Sequence, residues 1–96
     1  MNLKLNCGGF AQYLNKEELL YGGIQYVFGF ENNYGASVIK HNGSYGYHDD
    51  LWELAVIKFD NDGDWDLCYD TDITNDVEGW LTDNDVVDLL RRIQEL

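Results

Sequence analysis

The apolar positions of the C-terminal segment recur at steps of three and four residues, which is the spacing of one face of an α-helix. This stripe consists of Val86, Leu89, Leu90, Ile93 and Leu96. Thr82 precedes the stripe as a candidate N-cap. Asp85 lies three residues after Thr82, as in a capping box. The pattern therefore predicts an amphipathic helix over residues 83–96.

Four other segments are rich in β-branched and aromatic residues and are bounded by turn signals, which is typical of strands. They are residues 23–31, 36–41, 51–59 and 65–70. The connections "ENNYG" and "NDG" are short enough to join neighbouring strands as hairpins, whereas the Gly-punctuated "HNGSYGYHDD" indicates a longer loop. This order predicts an antiparallel meander of four strands.

Two further segments are predicted to be helical. The segment "GFAQYLNKEELL" suggests short helical turns with Asn15 as an N-cap, and Thr74 is a candidate cap for a short helix over "NDVEGWL". The predicted fold class is therefore α+β, with a four-stranded antiparallel β-meander, a short N-terminal helix and C-terminal helices packed on one sheet face. A chain of 96 residues is expected to form a single domain over residues 1–96.

The charge of the chain narrows the classes of partner. The chain has 6 Lys and Arg against 18 Asp and Glu, which gives a formal net charge of −12. Such an excess opposes direct binding to nucleic acid or to an anionic membrane and favours a basic protein partner. The N-terminus has no apolar stretch typical of a signal peptide, and Cys7 and Cys68 lack the spacing of a disulfide framework or a zinc site. We therefore expect a cytoplasmic chain with reduced thiols.

Aspartate is concentrated in "FDNDGDWDLCYDTD", residues 59–72. An EF-hand calcium loop needs acids at its first and twelfth positions, but aligning Gly63 with the invariant glycine places Lys58 and Tyr69 there. The segment fits a hairpin better, with a turn at residues 60–64 in which Asp62 and Gly63 both take positive φ.

The turn does not account for the acids that follow it. In a strand over residues 65–70, Asp64, Asp66, Cys68 and Asp70 would share one face, with successive side chains roughly 6.6 Å apart, so the acids would form a ridge of repeating negative charge. Residues 59–90 contain no Lys or Arg. Two interpretations stay open: an acidic face that only maintains solubility, or a surface that competes with nucleic-acid phosphate for a basic groove. The predicted partner-binding residues are Asp60, Asp62, Asp64, Asp66, Asp70, Asp72, Asp76, Asp83 and Asp85, with the loop tyrosines Tyr45 and Tyr47 as anchors.

Other candidate chemistry is weaker. His48, Asp49 and Asp50 could contribute to a divalent-metal site, but adjacent residues point apart in an extended chain. Cys68 and a histidine could form a nucleophile and its base, although no local signature accompanies Cys68. No phosphate-binding glycine motif or nucleophile elbow is present. We therefore predict no catalytic residues, no bound metal and no cofactor.

Three stretches of the chain resemble a family of small acidic proteins encoded by phages and prophages of Gram-positive bacteria: "GIQYVFGFENNYGASVIKH", "DLWELAVIKF" and "DLCYDTDITNDVEGWLTDNDVVDLL". The resemblance extends over residues 22–92. The family has no assigned activity, so the resemblance assigns a role to no residue. It implies a setting in the cytoplasm of an infected or lysogenic bacterium, where many small acidic phage proteins block host defence or DNA-handling proteins.

Charge and resemblance together lead to one main hypothesis. The chain is predicted to be a non-enzymatic phage protein that inhibits a basic, nucleic-acid-binding host protein as a DNA mimic in anti-defence. The alternatives are a structural or regulatory phage domain whose acidity serves only solubility, and a small metal-dependent enzyme using His48, Asp49 and Asp50. A homodimer is compatible with these hypotheses.

Overall fold

The computed structural model describes residues 1–74 and 76–96 and shows an α+β fold. A 3-10 helix over Gly8–Tyr13 precedes the first strand, and a second one over Tyr47–Asp49 lies in the loop before the fourth. The regular elements are β1 (Leu14–Leu20), β2 (Gly23–Gly29), β3 (Tyr34–Lys40), β4 (Trp52–Phe59), β5 (Trp65–Leu67), β6 (Glu78–Leu81) and α1 (Asp83–Gln94).

All six strands belong to one antiparallel sheet. Its order is β1-β2-β3-β4-β5, and β6 pairs with β4 on the edge that β5 leaves free. β5 pairs with residues 57–59 of β4, whereas β6 pairs with residues 52–54. β5 and β6, the two strands on either side of the acid-rich connection, therefore pair with the same edge of β4, opposite β3.

The α-helix α1 covers one face of this sheet. Val86, Leu90 and Ile93 are fully buried against β3, β4 and β6, as the periodic stripe predicts, while Leu96 is largely exposed. The Thr82 side chain accepts a hydrogen bond from the Asp85 N–H, and the Asp85 carboxylate accepts one from the Thr82 N–H. The capping box is confirmed, and so is the stripe except at Leu96, because the helix ends at Gln94 and not at residue 96 as predicted.

The opposite face of the sheet has no helix over it, yet its centre is buried. Val27 and Ile57 are almost completely inaccessible there. The Phe59 ring lies against the backbone of two neighbouring strands, because a Cβ placed on Gly29 or Gly35 would lie 3.1 or 3.0 Å from it. The paired glycines thus leave room for an aromatic ring that shields this face.

The predicted N-terminal helix is wrong over most of its length. Only Gly8–Tyr13 is helical, as a 3-10 helix, and Leu14–Leu20 form edge strand β1. The proposed N-cap, Asn15, lies at an irregularity in the β1–β2 pairing. The free edge of β2 offers main-chain partners to a whole seven-residue strand, and this tertiary gain outweighs the weak local helix signal.

The short helix predicted after Thr74 is also wrong where the structure describes it. Glu78–Leu81 form strand β6, and Asn75 lies outside the described residues. Thr74 closes a local turn instead: its hydroxyl accepts from the Asp76 N–H and donates to the Asp76 carbonyl. The sheet consequently has six strands where the meander predicted four.

Candidate protein-binding surface

The β4–β5 turn carries the first group of predicted partner-binding acids. Asp60, Asp62, Asp64 and Asp66 are all exposed. The Asp60 carboxylate accepts hydrogen bonds from the Asp62 and Asp64 N–H groups, at 2.9 and 3.1 Å, so it stabilises the turn itself. The side chains at 62, 64 and 66 are left as the acids that can meet a partner here.

The geometry of this turn differs from the prediction in one respect. Gly63 has a φ of 83°, as expected, but Asp62 is not among the residues with positive φ. The Gly63 N–H bonds to the Asp60 carbonyl, and the Asp60 N–H bonds to the Asp64 carbonyl. A three-residue loop that ends in a left-handed glycine satisfies the strand twist without a second positive φ.

The ridge of acids predicted along residues 64–70 is shorter than expected and is interrupted. Strand pairing ends at Leu67, and the next residue, Cys68, is buried in the core between exposed Asp66 and Asp70. The Cys68 thiol donates to the Asp70 carboxylate at 2.9 Å, which lowers the pKa of that carboxyl. Burial, with a further contribution from Asp70, raises the pKa of the Cys68 thiol. Cys68 is therefore a core residue and a protonated donor, not an activated nucleophile.

The remaining acids of the segment have mixed roles. Asp72 and Asp76 are exposed in the connection to β6. Asp83 accepts a hydrogen bond from the Trp52 indole N–H at 2.8 Å, and Asp85 completes the capping box, so both anchor the start of α1. Glu78, which the predicted set omits, lines a shallow groove between β6 and α1, with Asp85, Asp88, Leu81, Leu89 and Arg92 as the other lining residues.

None of the predicted partner-binding acids forms an ion pair with a described residue of the chain. Within residues 1–74 and 76–96, ion pairs join Lys16 to Glu18, Lys40 to Asp50 and Arg91 to Asp88. Lys58 faces Asp66 across the β4–β5 ladder and lies over the Tyr34 ring, but no ion pair forms between Lys58 and Asp66. The edge of the sheet beside β4 is thus strongly negative, with little internal compensation.

The two predicted tyrosine anchors have different surroundings. Tyr47 is half-buried in its 3-10 turn, against the His48 ring. Tyr45 is exposed and stacks on Trp80, with ring centroids 5.5 Å apart and an interplanar angle of 25°. Trp80 has 57% of its surface exposed. No local signal marks Trp80 as exposed, because its position depends on an irregular pairing of β6 with β4.

The histidine loop does not assemble a ligand cluster. Asp50 pairs with the Lys40 ammonium at 2.9 Å and accepts a hydrogen bond from the Asn2 N–H, and these contacts lower the pKa of its carboxyl. Lys40 is almost fully buried and lies 4.2 Å from the Trp52 ring. In the part of the chain that the structure describes, no three His, Cys, Asp or Glu side chains lie close enough together to hold a metal ion.

Comparisons with known proteins assign no family: no family model, curated protein or solved structure shows a significant match to the chain. Among the described residues, no helix combines the length and the apolar character needed to cross a membrane.

Proposed function

We propose that this chain is a binding protein whose acidic edge takes a basic protein partner in place of nucleic acid. The observation that carries the proposal is a group of exposed acids at the side of the sheet where β5 and β6 pair with β4, none of them in an ion pair among the described residues. Unpaired carboxylates at one edge repel one another and cost stability, and a basic partner would relieve that repulsion.

The resemblance to phage and prophage proteins suggests what such a partner does. In that setting the chain acts in the bacterial cytoplasm, without enzymatic activity, and inhibits a nucleic-acid-binding host protein. A row of carboxylates that occupies a phosphate-binding groove would do this without any chemistry of its own. Asp62, Asp64 and Asp66 are the first contacts we assign to it, because their carboxylates are exposed and are not needed for the turn.

A charge-reversal pair with a matched control tests the proposal. The Asp64→Lys, Asp66→Lys variant reverses two acids on the proposed edge, and Glu17→Lys, Glu18→Lys makes the same charge change on β1 at the opposite edge. Each protein is used to capture partners from a bacterial lysate at low salt, and the captured protein is then purified and its affinity measured.

The proposed edge predicts four results with the purified partner. The partner binds nucleic acid, nucleic acid competes with the chain, and the affinity falls steeply as salt rises because exposed charges are screened within about 8 Å at physiological ionic strength. Reversal at 64 and 66 slows association much more than reversal at 17 and 18, since long-range charge mainly steers encounter. Equal losses from the two variants, or a partner that nucleic acid does not displace, would contradict a phosphate-mimicking edge and leave acidity as an aid to solubility.

A further inference from the structure

An irregular pairing places an aromatic pair at the other end of the β4 edge. Trp52 pairs with Leu81 and Leu54 pairs with Glu78, so two residues of β6, Gly79 and Trp80, lie opposite Glu53 alone. Such a bulge re-aims a side chain and is common beside functional sites. Here the re-aimed side chain is an indole that becomes exposed.

The bulge holds Trp80 in an unfavourable backbone conformation. Its φ is 54°, in the left-handed region that a bulky residue rarely adopts and that glycine tolerates easily. A tryptophan that packs in no core and occupies a position suited to glycine is difficult to explain by folding stability alone. Its placement points to a role outside the folded chain.

The loop that carries Tyr45 is fitted closely to this bulge. A Cβ on Gly46 would lie 3.0 Å from the Trp80 backbone, and one on Gly79 would lie 2.6 Å from the Tyr45 Cβ. The glycines therefore permit the approach that stacks the two rings. The Tyr45 N–H also donates to the Glu53 carboxylate at 2.9 Å, which fixes a negative charge beside the aromatic pair.

The chemistry of this pair is suited to a cation. Two exposed aromatic rings beside a carboxylate attract a positive group, and a planar guanidinium can stack on indole while it bonds to the carboxylate. The structure records two cation–π contacts in the described residues, Lys40 over Trp52 and Lys58 over Tyr34, and no described cation lies over Trp80. The carboxylate and the two rings are therefore chemically complementary to an incoming basic side chain.

We propose that Tyr45, Trp80 and Glu53 form an anchor for an arginine side chain of the basic partner. This assignment depends on the proposed function, because it requires a basic partner. It adds that the chain recognises an arginine residue of that partner. Glu53 and Phe59 are six residues apart on β4, so the anchor and the aspartate turn lie roughly 20 Å apart along one edge. One protein surface of ordinary size can contact both.

Two peptides of equal charge, hexa-arginine and hexa-lysine, separate the anchor from general electrostatics. The wild-type chain is expected to bind hexa-arginine about two- to fivefold more tightly, because a planar guanidinium can stack on the indole and bond to the Glu53 carboxylate at the same time, whereas an ammonium cannot stack. Trp80→Gly is expected to abolish this preference, and Tyr45→Ala to reduce it. Tyr69→Ala removes a similarly exposed aromatic residue elsewhere and is the matched control.

Glu53→Gln tests the charge of the anchor, because the amide oxygen can still accept from the Tyr45 N–H. We expect a smaller arginine preference, and an unchanged one would remove Glu53 from the site. If Trp80→Gly fails to fold, Trp80→Asn replaces it, since asparagine tolerates positive φ. Unfolding of both variants would show that Trp80 is needed for the fold and would overturn the proposal.

The two proposals fail in different ways in this experiment. Asp64→Lys with Asp66→Lys is expected to weaken both peptides equally and to leave the arginine preference intact. A wild-type chain without that preference, or a Trp80→Gly variant that keeps it, would refute the anchor alone. Unchanged binding of both peptides after the double reversal would refute the acidic edge. The anchor would then be judged only by the ratio of the affinities for hexa-arginine and hexa-lysine.

Discussion

Truncation of Leu90 to alanine tests whether the amphipathic stripe of α1 belongs to the core or to an interface. Leu90 lies on the inner face of α1 and has no accessible surface. It belongs to the same apolar cluster as Trp52 and Val38. Leu→Ala at such a site removes transfer free energy and leaves a cavity, at a cost of about 2–5 kcal/mol. A domain of this size has a total stability of about 5–15 kcal/mol, so the loss would be a large share of it.

The expected signal is large enough for routine equilibrium unfolding. Each kcal/mol lowers the melting temperature of a domain of this size by about 4–8 °C, so Leu90→Ala is expected to lower it by at least roughly 8 °C. Urea titration followed by tryptophan fluorescence would show a lower midpoint with an unchanged slope, because the slope reports the surface exposed on unfolding.

Leu96→Ala supplies the control on the same stripe. Leu96 is 43% exposed and follows the end of α1, so its truncation is expected to cost less than about 1 kcal/mol. Equal losses for the two variants, or a Leu90→Ala protein as stable as the wild type, would mean that the helix does not pack on the sheet as described.

Three further predictions follow from the turn, the acidic edge and the buried lysine. Gly63→Val is expected to lower the free energy of unfolding by about 1 kcal/mol or more. A Cβ at this position meets no neighbour, but the φ of 83° strains a β-branched residue. Gly63→Asn is the milder control, and equal melting temperatures for the two variants would contradict the turn. Asp64→Lys with Asp66→Lys is expected to change the melting temperature little, because the relief of carboxylate repulsion is offset by a lysine introduced at position 66 opposite Lys58; a marked fall in Asp64→Lys alone would give that acid a structural role. Because the pKa of Asp50 is lowered in the folded state, its contribution is present above the unfolded pKa and is lost as pH falls through the folded pKa. Asp50→Asn is therefore expected to make the loss of stability at acid pH less steep. The same dependence of stability on pH in the variant and the wild type would contradict the pairing of Asp50 with Lys40.

Prediction from sequence succeeded where neighbouring residues along the chain decide the structure. The capping box of Thr82 and Asp85 involves groups three residues apart, and the left-handed Gly63 depends on a turn of a few residues. The β2–β3 hairpin was likewise predicted, because a short turn joins two segments of strong strand propensity. In the candidate site, sequence alone located the acids and Tyr45, since their exposure follows from polarity and from glycine-rich surroundings.

The errors occurred where a distant strand decided the outcome. Leu14–Leu20 became a strand because β2 had a free edge, and Glu78–Leu81 became one because β5 covers only part of β4. The β4–β6 pairing left Trp80 exposed. Because β5 ends at Leu67, the Cys68 side chain points into the core. These outcomes depend on which edges remain unpaired, and no local pattern reports that.

By itself the sequence determined the class of fold, the amphipathic helix and its cap, the central strands and the strong negative charge, because each follows from composition or from contacts close along the chain. Only the tertiary structure decided how the acids are distributed. It assigned Asp60, Asp83 and Asp85 to hydrogen bonds that stabilise the fold, and it left others exposed along one edge. It also brought Tyr45 and Trp80 together across 35 residues. Main-chain hydrogen bonding between strands is indifferent to side-chain identity, so a strand edge can override local preference and place residues that the linear pattern cannot bring together.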